Sequence, residues 1–303
     1  MNKGRIIVQQ GRNYLIEAED GTTYRAYLRG KLKIQGSEAT SPAVIGDVVD
    51  FTVKNDVAIV HYIHPRINYI IREDTFLRKK VITAANIDLF IPIYTIKEPF
   101  TPLIFLDKLL VTAEAYDIPA LIVINKIDLL TTDEDLKKLS IVEEIYRRAG
   151  YHIIKTSALH GTSLDELKSL MKGKICLFMG VSGAGKSTII NALIPGLNLK
   201  TQELSRKTGL GKHTTTFSAL YKMDENTYIA DTPGIRIFKI SDIEKWELSH
   251  YFPEFRKLMN QCKFNNCTHT IEQDCAVIKA LHEGKIHPKR YENYLKILND
   301  ETV

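Results

Sequence analysis

Two short stretches narrow the possible folds more than anything else in the chain. Residues 180–188 read GVSGAGKST and residues 125–128 read NKID. The first has the spacing Gly180-x4-Gly185-Lys186-Ser187, between an apolar strand pattern, KICLFMG, and a helical one, STIINAL. That strand–loop–helix context is what a phosphate cradle needs: small residues let backbone N–H groups converge on phosphate oxygens, and the helix N-terminus adds its positive end. Gly180, Val181, Ser182, Gly183, Ala184, Gly185, Lys186, Ser187 and Thr188 are therefore read as phosphate-binding. Lys186 is assigned to the β- and γ-phosphates as a catalytic cation, and the Ser187 hydroxyl to Mg²⁺. NKID closes the strand pattern ALIVIN, at the carboxyl end where open α/β sheets take their ligands. The Asp128 carboxylate can accept both N–H donors of a guanine edge, and adenine would leave it unpaired. Asn125 and Lys126 belong to the same base-reading turn. In a nucleotide domain of ordinary order the cradle comes first; here the base reader does.

Three further signatures decide whether one match is accidental. Thr156-Ser157-Ala158 follows the strand HIIKTS, and Ser157 and Ala158 match a loop whose backbone supports the guanine carbonyl. Asp231-Thr232-Pro233-Gly234 follows TYIAD, where Asp231 and Gly234 suit Mg²⁺ placement and γ-phosphate sensing. Between cradle and DTPG lies GLGKHTTT, a candidate switch with threonines for the metal; Thr215 is taken as the ligand among Thr214, Thr215 and Thr216. Five signatures at strand ends are not coincidence. Their order is base reader, Ala loop, cradle, switch, DTPG, so the domain is circularly permuted. Permutation is tolerable because the termini of a compact domain commonly lie close together. Many GTPases orient the attacking water with a glutamine just after DxxG. Ile235 stands there, which makes His213 of the switch the local catalytic candidate.

The flanking regions have other patterns. Residues 1–66 hold five short runs rich in β-branched and aromatic residues, RIIVQQ, NYLIEA, TYRAYL, VIGDVVDFTV and VAIVHYI, with a hairpin signal at Asp20-Gly21 and a loop composition at 36–42. So many strands in so few residues predict a small closed barrel, OB or SH3-like. Residues 67–238 alternate apolar strands with helical patterns at 102–116, 133–149 and 163–172, which predicts a largely parallel α/β sheet. Residues 239–303 read as helices around Cys262-x4-Cys267-x-His269-x5-Cys275. Three thiolates and an imidazole close a tetrahedral zinc site, structural rather than catalytic. Cys176 lies in a buried strand pattern. The net charge of +5 and 44% hydrophobic content are ordinary for a globular chain, and the mild basic excess is in residues 1–80. No run is long enough to span a membrane and the N-terminus turns polar too soon for a secretory core, so a cytoplasmic protein is expected.

The combination of GDVVDF, NKIDL, GVSGAGKSTIIN, GKHTTT, DTPGIR, the cysteine–histidine knot and RYENYLKIL resembles the circularly permuted GTPases of small ribosomal subunit biogenesis, the RsgA (YjeQ) family, over nearly the whole length. The resemblance implies an N-terminal OB-fold, a permuted P-loop GTPase core and a C-terminal helical zinc-binding domain with one structural Zn²⁺. It also implies Mg²⁺ with GTP, GDP as product, binding to the 30S subunit and its 16S rRNA, slow hydrolysis stimulated by that particle late in its maturation, and the same role for His213. A monomer without membrane attachment is expected. Two other classes are weighed: an RNA-binding scaffold that holds GTP and scarcely turns it over, and a small-molecule phosphotransferase. The second leaves NKID and DTPG without a purpose.

Overall fold

The computed structural model describes residues 1–29, 42–74, 79–197, 199, 217–231 and 243–299. The chain forms two compact units. One comprises Met1–Phe90, Asp165–Met179 and Ser187–Ile235, the other Ile91–Leu164, Gly180–Lys186 and Arg236–Val303.

In the first unit, β1 (Asn2–Gln10), β2 (Asn13–Ala18), β3 (Thr23–Leu28), β4 (Val48–Lys54) and β5 (Val57–Ile63) form a closed barrel. The order is β1-β2-β3-β5-β4, with β4 returning to β1 and β3 parallel to β5. That connectivity settles the open choice in favour of an OB-like barrel. Alternate residues point inward, as the two-residue period of a strand requires, and Ile6, Tyr14, Ile16, Ala26, Val49, Phe51, Ala58 and Val60 fill the interior. Register shifts at Ile6/Val8 and Asp50/Phe51 bend the strands toward closure. The Asp20-Gly21 turn forms as expected, with the Asp20 carboxylate accepting from the Thr22 amide at 2.9 Å.

A hairpin, β6 (Tyr69–Asp74) with β7 (Lys79–Ala85), follows the barrel and was not anticipated from the sequence. Its junction with the barrel explains GDVVDF. Gly46 has φ +90°, and a Cβ there would sit 1.9 Å from the Ala85 carbonyl oxygen, so only glycine fits. The fully buried Asp47 takes the Arg66 guanidinium on both oxygens, each at 2.7 Å, and the Val44 amide at 2.8 Å. The rest of this unit is β11 (Ile175–Met179) parallel to β13 (Tyr228–Asp231), with β12 (Phe217–Lys222) antiparallel to β13 and to β1. It also holds α3 (Leu164–Met171).

Strand β8 (Leu89–Tyr94) leads into the second unit, where it runs parallel to β9 (Leu121–Asn125), itself parallel to β10 (His152–Thr156). β8 and β9 are buried at every residue, the signature of a parallel sheet covered on both faces. α1 (Leu103–Ala115) and α2 (Asp133–Ala149) supply the helical layer. α2 opens with a Thr132/Asp135 capping box and three acidic residues and ends in two arginines and a left-handed Gly150, all in the sense its dipole favours. The region from 243 is helical, with α5 (Pro253–Arg256), α6 (Ala276–His282) and α7 (Pro288–Leu298), and no strand among its described residues. Its core of Leu248, Phe252, Phe255, Val277, Ala280, Tyr294 and Ile297 includes Ile104 and Val111 of α1. The buried Arg290 of α7 bridges Asp107 of α1 at 2.5 Å and Glu254 of α5 at 2.7 Å, beneath the Phe252 ring.

Candidate active site and metal centre

Asn125, the last residue of β9, is 3% exposed, and every polar atom of its amide is used. Its Nδ2 donates to the Ala184 carbonyl in the cradle at 2.9 Å. Its Oδ1 accepts from the Thr156 hydroxyl at 3.0 Å and the Ala158 amide at 3.2 Å. One side chain thus ties base reader, Ala loop and cradle together. This brace is not legible in the motifs, which place Asn125 only as part of a base-reading turn. It also explains Gly185: with φ +95°, a Cβ there would fall 2.3 Å from Asn125 Nδ2.

Asp128 lies in a short 3-10 turn, Ile127–Leu129, and its Oδ1 accepts a hydrogen bond from the Ser157 hydroxyl at 2.5 Å. Residues 128 and 157, both assigned to the edge of one base, are therefore adjacent. Lys126 holds a left-handed backbone, φ +64°, and its ammonium reaches the Glu98 carbonyl. In the cradle the Lys186 ammonium donates to the carbonyls of Gly180 (2.9 Å) and Val181 (3.0 Å), which bends the loop around its own cation. Ala184 is fully buried, and helix α4 (Lys186–Leu193) begins at once, with Ser187 and Thr188 half-buried in its first turn. The backbone of Asp231 ends β13. His213, Thr215 and Gly234 lie outside the described residues.

The cysteine knot is assembled: one ligand atom from each of Cys262, Cys267, His269 and Cys275 lies within 4.8 Å of all the others. His269 Nδ1 is 3.7 Å from Cys262 Sγ and 3.3 Å from Cys275 Sγ. Zn–S bonds of ~2.3 Å and Zn–N bonds of ~2.0 Å at tetrahedral angles would put sulfur and nitrogen about 3.5 Å apart, so the donor set fits a tetrahedral cation. Burial pushes the His269 pKa down, which keeps the ring neutral with a lone pair to give, and pushes the Cys267 thiol up to about 12. The knot's backbone is gripped by RYENYLKIL: Tyr291 donates to the His269 carbonyl and Tyr294 to the Thr268 carbonyl, both at 2.7 Å. Glu272 gathers the amides of Thr268, Thr270 and Ile271. Among the described residues no helix is long and apolar enough to cross a membrane.

Comparison with known proteins adds to this geometry. The family profile described as RsgA GTPase matches residues 63–241, more than half of the chain. The chain belongs to the RsgA GTPase family. Proteins named small ribosomal subunit biogenesis GTPase RsgA are similar to it over almost their full length. The one from Christiangramia forsetii is 41% identical over 99% of this chain and 96% of its own. The one from Flavobacterium psychrophilum is 42% identical over 99% and 94%. Among solved structures, YjeQ from Thermotoga maritima matches with a TM-score of 0.82 at 36% identity, covering 99% of this chain and 98% of that one. YloQ, titled a circularly permuted GTPase, matches at 0.76 and 26%, covering 98% and 94%. The permuted fold is therefore that of this family, and the chain is a GTPase.

Proposed function

We propose that this GTPase acts in late maturation of the small ribosomal subunit, and that the 30S particle and its 16S rRNA stimulate its hydrolysis. The observation that carries the reading is the Asn125 brace, which holds base reader, Ala loop and cradle as one unit in a chain similar over its full length to proteins named for small-subunit biogenesis.

In this reading Asp128 accepts the two guanine N–H donors, with Ser157 holding its carboxylate in place, and Lys126 covers the base. The amides of 180–188 gather the phosphates, and Lys186 leaves its loop carbonyls for the β- and γ-oxygens. Ser187 and Thr215 offer hard hydroxyl oxygens to Mg²⁺, which would neutralise charge on the transferring phosphoryl group; Asp231 and Gly234 attend the metal and γ-phosphate. His213 orients the attacking water. Cys262, Cys267, His269 and Cys275 hold one Zn²⁺ per chain. The working division is an OB domain at 1–66, the permuted GTPase at 67–238 and the zinc domain at 239–303. The protein acts as a cytoplasmic monomer.

GTP hydrolysis measured against purified 30S, 50S and 70S particles tests this. A rate that rises with 30S alone is expected. His213→Ala should lower that stimulated rate by ~10²-fold or more while sparing GTP affinity. An unstimulated rate on 30S would sink the assembly role and favour a scaffold that merely holds GTP.

A further inference from the structure

The segment between β8 and α1 belongs to none of the motifs, yet it touches both halves of the nucleotide site. It is closed on itself. Thr95 and Thr101 are buried, with hydroxyls 3.0 Å apart; the Thr95 hydroxyl donates to the Pro99 carbonyl at 2.6 Å, and the Thr101 amide donates to the Thr95 carbonyl at 3.1 Å. From this closed loop three consecutive residues reach outward. The Lys97 ammonium donates to Asp135 at 2.5 Å and approaches the Leu129 carbonyl, at the end of the turn that carries Asp128, at 3.5 Å. The Glu98 carbonyl takes the Lys126 ammonium. Pro99 Cδ lies 3.5 Å from where a Cβ on Gly183 of the cradle would be.

Two non-glycine residues, Glu98 at φ +46° and Lys126 at φ +64°, meet in this contact. Left-handed backbone in such residues persists only where the surroundings over-determine it, and such positions cluster at ligand sites. Asp135 is 3% exposed and caps α2, so its charge is buried at the root of the base-reading turn with Lys97 as its counter-ion.

We propose that Lys97 is a positioning residue for guanine recognition: paired with Asp135, it fixes the turn carrying Asp128 from beneath while the neighbouring Glu98 carbonyl fixes Lys126 from the side. This rests on the reading of Asp128 as the base reader. Lys97 itself touches no nucleotide. Its loss would let the Asp128 turn shift while leaving the cradle's grip on phosphates in place, so it lowers affinity for guanine nucleotides more than for others. A residue needed only for stability would weaken all nucleotides together.

The test measures equilibrium affinity for GTP and for ATP in the full-length protein at a temperature well below melting. Lys97→Met should narrow the GTP-over-ATP preference by about tenfold, the scale of one hydrogen bond to a charged group; Lys97→Arg should restore most of it. Asp135→Asn keeps a cap acceptor but removes the charge, and should narrow the preference in the same direction by a smaller factor. Asp128→Asn is measured alongside with xanthosine triphosphate. A switch from GTP to xanthosine triphosphate there supports the base reader, and without that switch the base-reader reading itself falls. With the switch present, an unchanged GTP-over-ATP ratio in a folded Lys97→Met protein overturns the proposal. If Lys97→Met does not fold, an unchanged ratio in Asp135→Asn overturns it instead.

Discussion

The nucleotide cradle and the cysteine knot are both polar sites, and their polar atoms are treated in opposite ways. Around the cradle and the base-reading turn, the groups that the sequence assigns to a ligand already have protein partners: Asp128 has Ser157, Lys186 has two loop carbonyls, and Asn125 has three partners. In the knot four donor atoms face one another, with His269 Nδ1 turned toward the Cys262 and Cys275 sulfurs, and the Cys267 thiol is pushed up to about 12 by burial. Thiols become good metal ligands only when ionised, which a bound cation favours. The cradle can thus hold its shape between ligands and exchange internal bonds for external ones. The knot instead gathers four donor atoms that could hold a metal ion.

Three experiments bear on that contrast, from the largest expected effect to the smallest. Cys267→Ala should abolish metal content, read by elemental analysis, and open the region after 243 to limited proteolysis, because structural zinc binding is folding free energy. GTP affinity should stay close to that of the unaltered protein; if it collapses with the knot, the two sites are not separable. Gly185→Ala acts on the other side. A Cβ 2.3 Å from Asn125 Nδ2 must displace the brace, so GTP affinity should fall by ~10²-fold with the zinc retained. Undiminished affinity would show that the cradle does not depend on Asn125.

The smallest effect concerns pH. The hydrogen bond from Lys97 holds the Asp135 carboxyl at about 2, against an ordinary 3.8. A folded pKa below the unfolded one gives stability that is full above about pH 3.8 and lost as pH falls toward 2. Denaturant unfolding of Asp135→Asn should therefore show a deficit against the unaltered protein that shrinks with acidification through that window. A deficit independent of pH would mean the carboxylate is not paired as described.

Much of this was readable in advance, where local patterning and burial agree. The five barrel runs, the helices at 103–115 and 133–149, and the strands β9 to β11 lie where alternation and apolar runs place them. Hairpin β6–β7 was not, because its strands meet in a charged segment, REDTFLRKK, without a turn signal. β12 was hidden for a different reason: FSALYK is short, and its pairing with β1 and β13 comes from tertiary contacts rather than its own propensity. In the site, the motifs named the residues but not their wiring. That Asn125 donates to the Ala184 carbonyl, or that Tyr291 and Tyr294 hold the knot, depends on distances between segments far apart in sequence. GDVVDF and RYENYLKIL could be recognised, but their physical reasons, Gly46 beneath Ala85 and Arg290 between Asp107 and Glu254, needed the fold.

The pairing of β1 with β12 also sets a schedule for synthesis. The barrel can close once residue 63 has left the ribosome, since all its strands lie before that point. The stretch of β1 from Val8 to Gln10, however, has a partner in Phe217–Ala219, which emerges more than a hundred residues later. At ~5–20 residues per second, the finished barrel presents that bare strand edge for roughly ten to thirty seconds. Such an edge is a template for pairing with another nascent chain. A chain stopped before residue 217 should therefore leave that edge of β1 unpaired and open to another strand.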